Sequence, residues 1–430
     1  MPEGWEWARI KTVSVDLPYG TSKKSNSSGK VAVLRMGNLQ DGEIDYSDLV
    51  YSSDEADIEK YYLLENDLLF NRTNSAEWVG KTSIYRGETP AIYAGYLIRI
   101  RTPLCGEYLN AVMNSAYAKN CCIRVKTDAV NQSNINAQKL GMFLVPVAPI
   151  REQHRIVISF NRTFELTQFI QSEKNELSTL IQSTKAKILD LAIRGKLVPQ
   201  DPNDEPASVL LERIKAEKEE LIKQGKIKRD KKESVIFKGD DNSYYQNLPE
   251  NWEVTTLREL TSSLTLNDGD WILSENMTAN GEVKLLQLGS IGNMIYIDNG
   301  FKYLTKSTFN KLSCTEIFPG YLLINRIISD KMCCCIVPDI AGTIITTVDT
   351  CWIAPSNTSY NVKFLMYQLA SPIFQSVVLL NATGTTRKRI SKNNLINLQL
   401  LLPPLAEQKR IIEAIETIFA ELDKISKQVT

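Results

Sequence analysis

One histidine, His154, serves a chain of 430 residues. It stands between Gln153 and Arg155 at a helix start, without the partners that metal binding or acid–base chemistry would need. Reading it as a solvated helix residue excludes histidine-based hydrolysis. The chain has no run of about 18 apolar residues, so no helix is expected to span a membrane. Its N-terminus has no basic stretch followed by an apolar one, which points to a cytoplasmic protein. Net charge is absent as well: 50 Lys and Arg balance 50 Asp and Glu. Any polyanion must therefore meet local basic patches. Eight cysteines are present, but none has the paired spacing of a zinc site. Cys333-Cys334-Cys335 would alternate between the two faces of a strand, which suits buried small residues better than chelation.

What the chain does have is a duplication. Pro149-Ile150-Arg151-Glu152-Gln153-His154-Arg155-Ile156 returns more than half the chain later as Pro404-Leu405-Ala406-Glu407-Gln408-Lys409-Arg410-Ile411. The opening Pro2-Glu3-Gly4-Trp5-Glu6 returns as Pro249-Glu250-Asn251-Trp252-Glu253. Leu34-Arg35-Met36-Gly37-Asn38 matches Leu286-Gln287-Leu288-Gly289-Ser290, and Leu68-Leu69-Phe70-Asn71-Arg72 matches Leu322-Leu323-Ile324-Asn325-Arg326. So long a period means two copies of a domain, not a short solenoid repeat. The stretches between the anchors differ, so the copies share a scaffold and present different surfaces.

The predicted fold class is α+β. Val31 to Met36, Tyr96 to Arg101 and Ile344 to Ala354 read as strands, and Val362 to Leu369 as a helix. Each Glu-Gln motif opens a long helical pattern. The acidic side chain sits in the first turn, where the helix dipole favours it. The first pattern runs from Arg151 to about Arg194, roughly 65 Å at 1.5 Å per residue. Gly195 and Pro199 stop it. In the second, Ile411, Ile415, Ile418, Leu422, Ile425 and Val429 repeat at coiled-coil spacing. Ile156 and Phe160 fall on the equivalent seam of the first. Residues Glu152, Gln153, Ile156, Phe160, Glu407, Gln408, Ile411, Ile415 and Leu422 are the candidates for helix and subunit packing. The expected domains are 1–150, a spacer helix and basic linker 151–232, then 233–403 and a C-terminal helix 404–430. The two helices are expected to pack antiparallel and hold two pseudo-symmetric domains apart.

These paired openings and paired Glu-Gln helices resemble the specificity subunits of type I restriction-modification systems. So do the phrases Asn131-Gln132-Ser133-Asn134-Ile135-Asn136 and Gly384-Thr385-Thr386-Arg387-Lys388-Arg389-Ile390-Ser391. The resemblance covers essentially the whole length. It implies two target recognition domains, each reading half of a bipartite asymmetric site in double-stranded DNA. It also implies helices that dock two methyltransferase subunits, and separate restriction and translocase subunits. S-adenosylmethionine, ATP and magnesium would then belong to those partners, and this chain would bind no cofactor or metal. The residues agree: no Asn-Pro-Pro-Tyr motif is present. Ser28-Gly29-Lys30 lacks the glycine that a phosphate loop needs at position 24. Two other readings compete: a coiled-coil scaffold or two-domain DNA-binding module outside restriction, and a fused nuclease or methyltransferase.

Base readout needs Arg, Lys, Asn or Gln on loops that enter a groove, and phosphate contacts need cations. The candidates in the first copy are Lys23, Lys24, Asn71, Arg72, Asn74, Lys81, Asn131, Gln132 and Asn134. In the second they are Asn325, Arg326, Lys331, Arg387, Lys388 and Arg389. Gly384 to Arg389 is the most DNA-like segment. Arg72 and Arg326 recur at a matched position, which equally suits a structural pair with a buried carboxylate such as Asp67. The basic linker 223–232 reads as solvated chain able to brush phosphate.

Overall fold

A computed structural model of the chain describes residues 2–129, 132–229, 248–385 and 387–429. The chain forms two compact units, Met1–Gln171 and Ser172–Thr430. Both are α+β, and their central sheets repeat one another strand for strand, with differences at the edges.

In the first unit the opening strand Glu6–Arg9 pairs antiparallel with Leu144–Val147, the strand that leads into the long helix. Val31–Leu34 lies between antiparallel Val50–Ser52 and parallel Ala91–Tyr93. Leu68–Asn71 lies between Leu97–Ile100 and Thr82–Ile84. In the second unit Glu253–Thr256 pairs with Gln399–Leu402. Val283–Leu286 lies between antiparallel Lys302–Leu304 and parallel Thr343–Thr346. Leu322–Asn325 lies between Thr350–Ile353 and Cys334–Ile336, and Leu266–Asp268 extends that sheet past Thr350–Ile353. The reading of Ile344 to Ala354 as one strand is corrected: the run breaks at Thr347 into two strands, with Thr350 N–H donating to the Thr347 carbonyl at 2.9 Å.

The repeated central strand is apolar up to its closing asparagine because both of its faces are covered. Leu68 and Phe70 enter one core cluster and Leu69 another. Leu322 and Ile324 do the same against Leu323. Successive side chains of a strand point to opposite faces, so one strand stitches two cores together. The neighbouring cysteines obey the same rule. Cys334 packs in the cluster of Leu322 and Cys335 in that of Leu323. All eight cysteines are free thiols, and burial drives the Cys335 and Cys351 thiols up to about 12.

The central helix spans Ile150–Ile193. Gly195 ends it in the left-handed region at φ +65°, with Lys196 N–H donating back to the Leu191 carbonyl at 2.9 Å, the glycine-terminated cap that helices favour. A connecting helix, Ala207–Lys223, follows, and the chain closes on the C-terminal helix Leu405–Val429. His154 is exposed, as its position suggested. Among the described residues no single helix is long and apolar enough to cross a membrane.

Within the second unit the two long helices run antiparallel. Lys185 pairs with Asp423 at 2.5 Å, whereas Gln200, beyond the end of the central helix, donates to Glu407 at 2.6 Å. Ile188, Leu189 and Ala192 share a core with Ile411, Ile412 and Ile415, and Leu422 packs against its edge. The expected seam is corrected at its other end. Ile156 is only half-buried and Phe160 is 51% exposed. The C-terminal helix has 25 residues against 44, and its antiparallel course spends that length on the later part of the longer helix.

Each Glu-Gln motif fastens its helix to its own unit. Gln153 accepts the Cys105 N–H at 3.0 Å and donates to the Ala148 carbonyl at 2.7 Å. Gln408 accepts the Asn361 N–H at 2.9 Å and donates to the Pro403 carbonyl at 3.0 Å. Both side chains are buried. Cys105 and Asn361 precede the first turns of Gly106–Asn114 and Val362–Ala370, so one amide fixes the angle between two helices and the incoming strand. Replacing Gln153 or Gln408 by alanine strands a buried backbone donor and acceptor. Each change is expected to lower stability by about 1–3 kcal/mol, read by chemical denaturation, whereas Lys409→Ala beside Gln408 changes little.

Candidate nucleic-acid interface

Both units carry a small extension directly after the repeated Asn-Arg dipeptide. In the first, Thr73–Asn74 pairs with Gln132–Asn134, which pairs with Thr127–Ala129. In the second, Ile327–Ile328 pairs with Lys388–Arg389. The dipeptide makes the corner. Asn71 accepts the Thr73 N–H at 3.3 Å and Asn325 the Ile327 N–H at 2.9 Å, the turn that asparagine forms with its own backbone two residues on. The Arg72 carbonyl accepts Ile135 N–H at 2.8 Å and the Arg326 carbonyl accepts Ile390 N–H at 3.0 Å.

That geometry corrects two of the expected DNA contacts. Asn71 is fully buried and cannot reach a base. Arg326 is 4% exposed; its guanidinium pairs with Asp268 at 3.2 Å and donates to the Val348 carbonyl. The structural alternative therefore holds at this matched position, with Asp268 as the carboxylate. Asp67 is taken instead by Arg101, at 2.6 and 2.8 Å. Arg72 is half-buried, with its guanidinium 4.5 Å from the Tyr19 ring centre. Asn325 is half-buried and holds its turn.

The remaining candidates divide by what already occupies them. Lys23 is exposed but pairs with Asp54 at 2.8 Å and Asp57 at 3.2 Å. Those carboxylates hold its ammonium above the usual lysine range. Asn74 accepts the Ser75 N–H, and Asn134 donates to Thr73 Oγ1 at 2.7 Å. Lys81 lies 4.2 Å from the Trp78 ring centre and donates to Gln40 at 3.1 Å. Lys24 and Gln132 are exposed, and Asn131 lies outside the described residues. In the second unit Lys331, Arg387 and Lys388 are exposed. Arg389 is half-buried and pairs with Asp349 at 3.0 Å. The hairpin holding these cations closes through two hydrogen bonds between Thr383 and Arg389, at 2.8 and 2.9 Å. Gly384 turns it at φ +106°, where a Cβ would meet the Arg387 carbonyl.

Two tryptophans belong beside these residues and were not among the candidates. Trp78 is 48% exposed next to Lys81, and Trp271 is 69% exposed. Trp271 sits with Gln287, Asp349 and Arg389 around a cavity of about 570 Å³. Both follow turn-forming residues, Asn74-Ser75 and Asp268-Gly269-Asp270, with no apolar periodicity around them. That was the available signal. A second cleft in the same unit, about 890 Å³, is lined by Lys226, Lys228, Arg229, Arg258 and Lys392. It includes the described part of the basic linker. Arg229 is paired with Glu219 and Arg258 binds Asn393 and Asn397, so Lys226 and Lys228 are the cations least committed to the protein.

Known proteins share both the sequence and the fold. A family model described as "Type I restriction modification DNA specificity domain" matches residues 249–430. The EcoEI type I specificity subunit of Escherichia coli is 30% identical over 253 residues, 58% of this chain and 41% of that protein. The EcoAI specificity subunit is 31% identical over the same shares. The chain thus spans about two fifths of the length of these relatives. The Methanocaldococcus jannaschii protein named as the MjaX specificity subunit is 24% identical over 97% of this chain and 87% of its own. Among solved structures, one described as a type I restriction-modification assembly matches 100% of this chain and 93% of its own, with TM-score 0.66 and 15% identity. The HsdS subunit from Thermoanaerobacter tengcongensis matches the same shares with TM-score 0.54 and 14% identity. At such identities these two attest the fold.

The division between scaffold and surface cations is measurable. Arg326→Ala leaves Asp268 only the more distant Lys392, at 3.8 Å, empties a buried site beside the Val348 carbonyl, and is expected to cost about 3 kcal/mol. Arg387→Ala with Lys388→Ala is expected to stay within about 0.5 kcal/mol of the parent chain. Thermal unfolding of the two variants side by side checks both.

Proposed function

We propose that the chain is a specificity subunit of the type I restriction-modification family and that it reads double-stranded DNA for such a complex. Each unit takes one half of a bipartite, asymmetric site. The observation that carries this is the pairing of a repeated scaffold with unlike extensions at one place in both units. One extension presents Gln132 on the strand that pairs with Thr73–Asn74, and the other presents Arg387 and Lys388 on a glycine-turned hairpin. Reading two unlike half-sites requires such a constant frame with variable edges. Arginine is suited to guanine in the major groove and glutamine to adenine, while lysine supplies charge to phosphate.

The chain itself performs no chemistry in this reading. Two methyltransferase subunits dock on its long helices and carry S-adenosylmethionine. Restriction and translocase subunits bring ATP and magnesium. The whole works in the cytoplasm. The coarse charge pattern suits the role: net neutrality with a local cluster of cations on the second unit's hairpin favours grip at chosen points over binding along any duplex.

Selection from a random duplex library with the chain and its methyltransferase partner tests the proposal. The expected motif has two informative halves separated by uninformative base pairs, bound in a salt-dependent manner. A complex that enriches no bipartite motif contradicts it. Lys388→Ala is expected to weaken binding to all sequences alike and to reduce the slope against log salt by about 1. Arg387→Ala is expected to cost about 1–3 kcal/mol and relax one base position only.

A further inference from the structure

Trp271 stands at a cleft of the second unit whose frame is duplicated in the first unit and whose walls are not. Gly269 N–H donates to the Thr350 carbonyl at 2.9 Å, Asp270 N–H to the Thr346 carbonyl at 2.8 Å, and Val348 N–H back to the Asp270 carbonyl at 2.9 Å. These bonds lay the backbone of Gly269 and Asp270 against the turn 346–350. The approach is so close that a Cβ on Gly269 would collide with the Thr346 and Thr347 carbonyl oxygens. The corner residue Arg326 holds the same turn. Its N–H donates to the Asp349 carbonyl at 2.9 Å and its guanidinium to the Val348 carbonyl. The first unit repeats these contacts. Gly20 N–H donates to the Leu97 carbonyl at 3.4 Å, Thr21 N–H to Tyr93 at 2.9 Å, Gly95 N–H to Thr21 at 2.7 Å and Arg72 N–H to Tyr96 at 3.0 Å. A Cβ on Gly20 would likewise collide with the Tyr93 and Ala94 carbonyl oxygens.

The matched contacts align the residues around the cleft, and there the copies part. Trp271, Ile272 and Leu273 follow the shared bridge in the second unit, where the first has Ser22, Lys23 and Lys24. Val283–Leu286 and Val31–Leu34 each run parallel to the strand that enters the turn, and the next residue is Gln287 in one and Arg35 in the other. Arg35 is half-buried and pairs with Asp48 at 2.9 Å. Gln287 and Trp271 are exposed, and neither the amide nor the indole N–H has a protein partner among the described residues. The charges around the cleft decide what suits it. Arg389, its lining cation, pairs with Asp349 at 3.0 Å, and Asp270 adds a second carboxyl, which accepts the Thr315 N–H at 2.8 Å. Two carboxyl groups against one arginine disfavour phosphate. A free amide beside an indole, Ile272 and Leu273 suits the edge of a base. Arg389 also belongs to the hairpin of Arg387 and Lys388, so the cleft borders those cations.

Resting on the DNA reading above, we propose that Gln287 and Trp271 set the sequence preference of the second unit's half-site at one A·T pair. The Gln287 amide accepts from the adenine N6 amino group and donates to N7, and the Trp271 ring packs on the methyl group of the paired thymine. The glycines and the corner arginines keep the frame constant, while the residue after the strand differs between the units.

Selection from a random duplex library, with the intact chain and its methyltransferase partner, tests this through three variants. Gln287→Ala is expected to lower discrimination at one adenine about tenfold to a hundredfold, in the half of the motif that Arg387→Ala also changes. Gln287→Arg, which copies the first unit, is expected to exchange that adenine for guanine. Replacing the paired thymine by deoxyuridine is expected to weaken binding of the parent chain about threefold to fivefold and to leave Trp271→Ala unaffected. The slope of log affinity against log salt is expected to stay the same in Gln287→Ala, whereas loss of a phosphate contact would reduce it by about 1. Both residues are exposed, so the variants are expected to fold, and thermal unfolding checks that. A parent chain that enriches no bipartite motif overturns the DNA reading and this assignment with it. A parent motif that all three variants reproduce overturns the assignment alone. So does a Gln287→Ala variant that weakens every sequence alike with a smaller salt slope.

Discussion

One buried amide holds each long helix to its unit, and most of the architecture hangs from that contact. A helix leaving a strand through proline could point in many directions. Gln153 and Gln408 remove that freedom by accepting an N–H ahead of a second helix and donating to the carbonyl just past the incoming strand. Three elements are fixed by one side chain with both ends used. A buried amide with either end unmet costs more than the bond returns, so the arrangement is all or none. Glu407 adds a second tie in the copy where it is covered, bridging Trp252 and Gln200. Its raised carboxyl pKa means that the folded state holds the proton more tightly than the unfolded chain does. Its ionised form therefore subtracts from stability as pH rises from the ordinary value of 4.5 through the raised folded one.

Repetition within the chain marks structure more than recognition. The apolar central strands, the Asn-Arg corners and the Glu-Gln helix starts all recur, and each has a local physical task. Arg326 illustrates the point. It recurs, it is cationic, and it is spent on Asp268 and the Val348 carbonyl inside the unit. The exposed cations Arg387 and Lys388 stand on a hairpin whose first-unit counterpart shares neither its sequence nor its charge. Under the proposed function, two readers on one frame must differ where they touch the target and agree where they fold, and the sequence divides in that way.

Much of this was legible in the residues alone. The Glu-Gln helices, the stop of the first at Gly195 and the twofold repeat follow from period, capping and spacing. They are local rules, and the chain obeys them within a residue or two. The extent of the helix seam was not legible. Ile156 and Phe160 carry the right spacing, but whether anything lies against them depends on the length of another element. Burial of Asn71 was equally hidden, because an asparagine after Leu-Leu-Phe reads as a strand end until the corner beyond it is seen. Trp78 and Trp271 escaped notice because single aromatics in polar loops carry no periodic signature.

In the proposed function the surface extensions, and not the repeated corners, read the target. Selection from a random duplex library with Arg387→Ala and Lys388→Ala combined, beside the parent chain and with the methyltransferase partner, tests it most directly. The account predicts that one half of the selected motif loses information while the other half and the spacing stay unchanged. Loss of both halves together, or no change in either, contradicts it.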